Sequence, residues 1–350
     1  MTATADVARL VPLLETLTAI PGPAGYEDAI GRALAERLAP LAAEVRLDAL
    51  GNVIARLEGP SDATRVAVLA HMDTVGFAVK TISPDGVLRV VAVGGVNLKA
   101  LPGAGVRLGD MPGVIGVRSQ HQARSGDEIV REDDLYVQVA PEAVAQINVT
   151  TPVTYAPQYF RLGEGLIAAP YLDNRAGCAA LIALAERLAG ASLPHQVTLI
   201  GTVQEETTCA GALAALRAVG PDVALFVDGT LSYDTPETRG QGAVILGGGP
   251  VLTSFLYVSG LNGWHAHPGL RDHLLRLATE GALPVQQDAI RGLISDARAA
   301  TWLGIPSAVI GLPLRGKHAP LEIMHLDDLT HAVDLLAAAL SHPLPPLARG

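Results

Sequence analysis

The chain has 350 residues, 49% of them hydrophobic, enough for a large buried core and a second, smaller unit. Acidic residues outnumber basic ones 35 to 25, and no basic stretch is long enough to track a phosphate backbone, so nucleic acid is excluded as the expected partner. Apolar runs are broken by charge or glycine well short of the ~20 residues a bilayer demands, and no membrane association is expected.

In chain order, Val7 to Leu17 repeats apolar residues at helical spacing and predicts an amphipathic helix, not a secretory signal. The turn-rich Pro21-Gly22-Pro23 precedes a second helix over Tyr26 to Leu38. Arg46 to Asp48 and Val53 to Leu57, joined through Gly51-Asn52, read as a hairpin, and Arg65 to Ala70 as a strand running into His71-Met72-Asp73. From about Ala78 to Gly163 the texture changes to short β runs (Val87 to Val93, Gly113 to Val117, Leu135 to Val139) separated by Gly, Pro and charge. Helices and apolar strands then alternate: Arg175 to Leu188, Val197 to Val203, Ala212 to Val219, Val223 to Val227, Ser307 to Ile310 and a closing helix over Asp328 to Leu340. Such alternation predicts an α/β sheet covered by helices on both faces, in two halves, 1–77 and 164–350, interrupted by a β module over 78–163. Cys178 and Cys209 form no C-x-x-C pair; they read as core thiols in a reducing, cytoplasmic setting.

Three predicted strands stop at a metal-type side chain: His71, Glu205-Glu206 and Asp228. Carboxyl ends of strands line the ligand crevice of an open α/β sheet, so the three can converge. Asp173, in Leu172-Asp173-Asn174-Arg175, and His318, in Lys317-His318-Ala319-Pro320, are further candidates, and all five signals have plain structural alternatives: a turn histidine at His71, a helix N-cap at Asp173, a solvated acid pair at Glu205-Glu206, a loop acid at Asp228 and a turn histidine at His318. Taken together, the order His71-x-Asp73, Asp173, Glu205-Glu206, Asp228, His318 suits two divalent ions roughly 3.5–4 Å apart that share one carboxylate. Asp173 would bridge, His71 and Asp228 would complete one shell, and Glu206 and His318 the other. Neighbours on an extended segment point apart, which leaves Glu205 free as general base beside the ligand Glu206. Asp73 is placed to accept the other imidazole N–H of His71. The mixed imidazole and carboxylate donors suit Zn²⁺, with Co²⁺ or Mn²⁺ as alternatives.

These residues resemble the dinuclear aminopeptidases that assemble as tetrahedral dodecamers, described as glutamyl, leucyl or deblocking aminopeptidases. The similar segments are Ala70 to Gly76, Leu172 to Gly177, Val203 to Glu206, Val227-Asp228 and His318 to Glu322. Pro284-Val285-Gln286 and Ser295-Asp296-Ala297 look like the family's substrate-side segment, with Ser where Thr is usual. The long interval from His71 to Asp173 separates this family from relatives in which the two ligands lie close in sequence. The resemblance implies a zinc-peptidase-like mixed sheet sandwiched by helices, with 78–163 as an inserted small β-barrel-type dimerisation or lid domain. It also implies peptide substrates with a free N-terminus and a homo-oligomer, up to a dodecamer. Gly316 stands where the family has an aromatic residue and Gln138 where it has an acidic one, departures that bear on pocket shape and oligomer contacts.

The same ligands would serve a deacylase or carboxypeptidase of the wider clan. A glycoside hydrolase also uses paired acids, but needs them facing each other across a sugar. A scaffold without catalysis would have to keep crowded acids uncompensated. Trp264-His265-Ala266-His267-Pro268 reads as a solvated loop, or else as a pocket wall or extra cation site. Gly247-Gly248-Gly249-Pro250 reads as a tight turn.

Overall fold

The structure is a computed structural model that describes residues 3–118, 130–260 and 262–347. Helices α1 (Ala3–Ala19) and α2 (Asp28–Leu38) precede the hairpin β1 (Glu44–Leu47) and β2 (Val53–Arg56). Its turn is tied by Asp48 Oδ1, which accepts from the backbone N–H groups of Leu50, Gly51 and Asn52. Strand β3 (Arg65–His71) follows.

Strands β4 (Gly76–Ile82), β5 (Val87–Val93), β6 (Gly105–Leu108), β7 (Met111–Gly116), β8 (Tyr136–Gln138) and β9 (Pro152–Tyr155) then close a barrel in the order β4-β5-β8-β7-β6-β9. Alternation drives it: Leu88 and Val90 of β5 point into the barrel core while Arg89 and Val91 face out. Part of this stretch, 119–129, lies outside the described residues. Gln138, the departure on β8, spends its side-chain amide on the carbonyl of Asp85 in the β4–β5 turn and on that of its own neighbour Val139.

The remaining elements are β10 (Phe160–Leu162), β11 (Leu166–Ala169), α3 (Leu172–Leu188), β12 (Gln196–Thr202), α4 (Ala210–Val219), β13 (Val223–Leu231), β14 (Val251–Tyr257), β15 (Gly263–His265), α5 (Pro268–Glu280), β16 (Gln286–Arg291), α6 (Ala297–Leu303), β17 (Ser307–Leu314), β18 (Glu322–His325) and α7 (Leu326–Ser341). The main sheet runs β1-β2-β12-β3-β13-β17-β14-β15, with β16 beside β14. Its centre, β12, β3, β13 and β17, is parallel, and its flanks are antiparallel at β2–β12 and β17–β14, so the sheet is mixed. Successive residues serve opposite faces. Val66, Val68 and Ala70 of β3 enter the core shared with α1, α2, α3, α5 and α7, whereas Ala67 and Leu69 enter the core under α4 and α6. This is the expected helix-sandwiched mixed sheet with a small barrel inserted.

One predicted detail differs and another holds. Trp264-His265 is not a solvated loop: β15 pairs with β14, and buried Trp264 donates from Nε1 to Ser307 Oγ at 2.8 Å. Alternation explains this, since Trp264 faces the core while His265 is exposed against Phe255. The triple-glycine segment is a turn, held by buried Asp328, which accepts from Gly247 N and Gly249 N. Among the described residues, no helix is long and apolar enough to cross a membrane.

One junction positions the site. Strands β3 and β13 pair only from Val66–Val223 to Leu69–Phe226, whereas β3 and β12 stay paired through His71–Thr202. The start of α3 enters where β3 and β13 part: Asn174 Nδ2 donates to Val227 O at 2.8 Å. Asp173 and Asn174 lack helical dihedrals, and Asn174 Oδ1 accepts from Gly177 N at 2.9 Å in the manner of an N-cap. Asn174 therefore does the capping that a bare sequence pattern offers to Asp173, and the Asp173 carboxylate is left for the crevice. A Cβ at Gly177 would lie 2.2 Å from Asn174 Oδ1 and 2.9 Å from the Ala70 Cβ. Gly177→Ala is therefore expected to cost about 1–3 kcal/mol, read as a lowered thermal midpoint; an unchanged midpoint would refute this packing argument.

Candidate metal centre

The C-terminal ends of β3 and β12, the middle of β13, the start of α3 and the loop after β17 meet at one point. His71 closes β3 and is 2% exposed. Its Nδ1 lies 3.1 Å from the Asp73 carbonyl oxygen, so Nδ1 carries the proton and Nε2 turns its lone pair inward. That lone pair faces Asp173 Oδ1 at 3.4 Å, Asp228 Oδ1 at 3.5 Å and Glu205 Oε2 at 3.9 Å. His318 repeats the pattern. Its Nδ1 lies 2.5 Å from the carbonyl of Gly95, in the loop that follows β5, and its Nε2 faces Asp173 Oδ2 at 3.2 Å and Glu206 Oε1 at 3.3 Å.

All five sequence-predicted ligands and Glu205 are thus brought together, with Asp173 offering one oxygen to each histidine. Asp228 lies inside β13 rather than after it, because β13 continues beside β17 to Leu231. The Glu pair sits in a turn, not on an extended segment, with Gln204 at φ +60°. The two side chains nevertheless diverge, Glu205 toward His71 and Glu206 toward His318.

Asp73 takes a different place from the one the tripeptide suggests. The His71 Nδ1 proton goes to the Asp73 backbone carbonyl, and the nearer carboxylate oxygen is 3.6 Å away. The carboxylate instead accepts from the backbone N–H groups of Glu205 and Glu206, both at 2.9 Å, and so fixes the turn that aims them. Sequence spacing cannot foresee this, since two N–H groups of a distant turn outcompete the local imidazole.

Three further residues carry no assigned role in the sequence pattern. Glu322 on β18 accepts from Asp173 N at 2.8 Å and from His318 N at 2.5 Å, locking the shared carboxylate to the second histidine. Burial, reinforced by the Asp173 charge, pushes its carboxyl up to about 8. Lys317, 10% exposed, sets its ammonium on Asp173 Oδ2 and lies 3.3 Å from Gly229 O. Asp296 takes a 2.5 Å bond from Thr202 Oγ1 at the end of β12, and burial raises it to about 7. The only signal for Lys317 and Glu322 in sequence is their place one before and four after His318. Gln286, by contrast, clamps the carbonyls of Ile245 and Gly249, away from the ligand cluster. Gly316 is at φ +71°, a conformation that accounts for glycine where the family has an aromatic.

The donor set fits metal ions. His71 Nε2, Asp173 Oδ1, Glu206 Oε1 and His318 Nε2 are buried and without a hydrogen-bond partner among the described residues. Each is an acceptor facing acceptors, an arrangement that costs several kcal/mol unless cations compensate it. His71, Asp173 and Glu206 each offer a donor atom within 4.8 Å of the others. In the metal-free chain the imidazoles bind protons instead. For His318, burial opposes the charge, but Glu206 and the bond to Asp173 outweigh it and lift the imidazole to about 10. His71 is likewise raised despite burial, chiefly by Glu205 and the bonds to Asp173 and Asp228.

Residues 51–335 match the model of the M42 glutamyl aminopeptidase family. The chain belongs to that family. Like the family as a whole, this M42 chain is a hydrolase of peptide bonds. It is 31% identical to lysyl aminopeptidase of Pyrococcus furiosus, over 96% of this chain and 97% of that one. The M42 fold superposes on an aminopeptidase of the archaeon Desulfurococcus kamchatkensis with a TM-score of 0.90, at 28% identity over 97% and 96% of the two chains. The TET1 peptidase of Pyrococcus horikoshii, which can assemble into a tetrahedron or a large octahedral shell, matches with a TM-score of 0.83, at 26% identity over 95% and 99%.

Proposed function

We propose that this M42 chain is a dinuclear metallo-aminopeptidase that removes N-terminal residues from peptides. The observation that carries the reading is the pair of inward imidazole lone pairs, each set against a different oxygen of Asp173. Asp173 would be shared by two divalent ions, with His71 and Asp228 on its Oδ1 side and Glu206 and His318 on its Oδ2 side. Zn²⁺ suits this donor set best, with Co²⁺ and Mn²⁺ as alternatives. When bound, such ions acidify water and polarise the scissile carbonyl.

Glu205 acts as the base. Its carboxyl is raised well above the ordinary carboxylate range, first by burial and then, against the opposing His71, by Asp228 and Glu206. A carboxylate so placed accepts the proton of the attacking water and returns it to the leaving amine. Asp73, by binding the N–H groups of the Glu205-Glu206 turn, holds base and ligand in register. The preference for aminopeptidase over deacylase activity is supported by the family match and by the lysyl aminopeptidase relative.

We further propose that 1–77 and 164–350 form the catalytic domain and 78–163 a lid or dimerisation domain; Gly95, which anchors His318, belongs to that segment. A homo-oligomer is proposed from the assemblies of the TET1 relative, and a cytoplasmic location from the two free, buried cysteines. The test is a comparison of aminoacyl and N-acylated chromogenic substrates with metal, with EDTA and after metal is restored. Free-amine substrates should turn over at least 10²-fold faster, with activity lost to EDTA and recovered on reloading. Preference for acylated substrates would point to a deacylase, and activity indifferent to chelation would exclude the metal centre.

A further inference from the structure

Lys317 contributes a buried cation to the cluster that the dinuclear reading does not use. Its ammonium is buried among acids, in contact with Asp173 Oδ2 and near the Gly229 carbonyl, and its charge is acted on by Asp173, Asp228 and Glu206. The two oxygens of Asp173 are therefore unequal. Oδ1 faces His71, whose Nε2 also faces Asp228, and takes no hydrogen bond, whereas Oδ2 faces His318 and already receives a cation from the protein. A divalent ion held by Oδ2, His318 and Glu206 would share its carboxylate oxygen with a fixed positive charge. Like charges that close, in a largely buried site, repel strongly. An ion on the Oδ1 side would share no carboxylate oxygen with the ammonium, which contacts Oδ2 alone.

We infer that Lys317 makes the two cation sites unequal, so that the chain holds one divalent ion tightly on the His71–Asp228 side of Asp173 and a second only weakly on the His318–Glu206 side. The inference rests on the dinuclear reading above and adds to it a built-in dependence on the free metal concentration. At limiting metal the tight site fills alone; the second ion, and with it full turnover, arrives only as supply rises.

The test is equilibrium dialysis of the metal-stripped full-length protein against buffered Zn²⁺, with bound metal counted by elemental analysis. Wild type should show a second dissociation constant at least tenfold above the first. Lys317→Met keeps the length of the side chain and removes the charge; it should tighten the second site by tenfold or more and leave the first nearly unchanged. Lys317→Gln, which retains a donor for the Gly229 carbonyl, is the companion should the methionine variant fold poorly, and it should move the second constant the same way. Two ions bound by wild type and by the folded variants with unchanged constants would overturn the role of Lys317 while leaving the dinuclear centre intact. No ion bound by any of the chains would overturn the dinuclear reading and this inference together.

Discussion

Glu205→Gln is expected to lower kcat by about 10³-fold, inside the ~10²–10⁴ range for a positioned general base, while leaving the metal content unchanged. Glutamine has the shape of the native side chain but cannot accept a proton at working pH. Glu205 also stands outside the set of orphaned donors: its Oε2 is 3.9 Å from His71 Nε2, farther than the oxygens of Asp173 and Asp228. Steady-state kinetics combined with elemental analysis separates the possibilities. A variant that lost metal along with turnover would make Glu205 a ligand, and one that kept normal turnover would place the base elsewhere.

Asp173→Asn should be more damaging, because it removes the one charge that both histidines face. The amide keeps a single acceptor oxygen, so neither cation site retains its shared carboxylate, and bound metal and turnover should both fall at least 10²-fold. Lys317 and the neighbouring histidines would also lose their buried counter-charge, and such half-removed buried pairs typically cost about 3–5 kcal/mol. The metal-free variant should therefore melt below the metal-free wild type. Equal melting points and full metal content would contradict the shared role. The same competition sets a pH dependence. The His318 imidazole is raised to about 10 without metal, so below that pH an entering ion must displace its proton. Affinity at this site should fall roughly tenfold for each pH unit lost, with protons released on metal uptake and visible by calorimetry in buffers of different ionisation heats.

Much of the architecture is written in hydrophobic periodicity. The strand ending at His71, the core strands β12 and β13 and the helices α3 and α7 are long or fully buried, and their apolar runs leave little choice. The short elements are different. β10, β14, β15, β16 and β18, with α5 and α6, carry mixed polarity, and their states depend on partners far along the chain. Trp264 illustrates the point: it is buried only because β15 lies against β14 and Ser307 meets the indole N–H.

In the candidate site, residue type and order suffice to pick out His71, Asp173, Glu205, Glu206, Asp228 and His318, because metal chemistry restricts which donors can be used. What surrounds them is less legible. Asp73 and Glu322 act by receiving backbone N–H groups of residues 132 and 149 positions away, contacts that leave no local pattern. Lys317 looks like any turn lysine until the crevice is assembled around it. Asn174 is the intermediate case: its role as cap is readable only once Asp173 is seen to lack helical dihedrals.

The central claim is that one carboxylate, Asp173, joins two cations, each with a histidine of its own. Anomalous diffraction from crystals saturated with Zn²⁺, recorded on both sides of the zinc edge, tests it directly. Two peaks should flank Asp173, one beside His71 and Asp228 and the other beside His318 and Glu206. Absence of any peak in contact with Asp173, or metal located only elsewhere on the molecule, would contradict it.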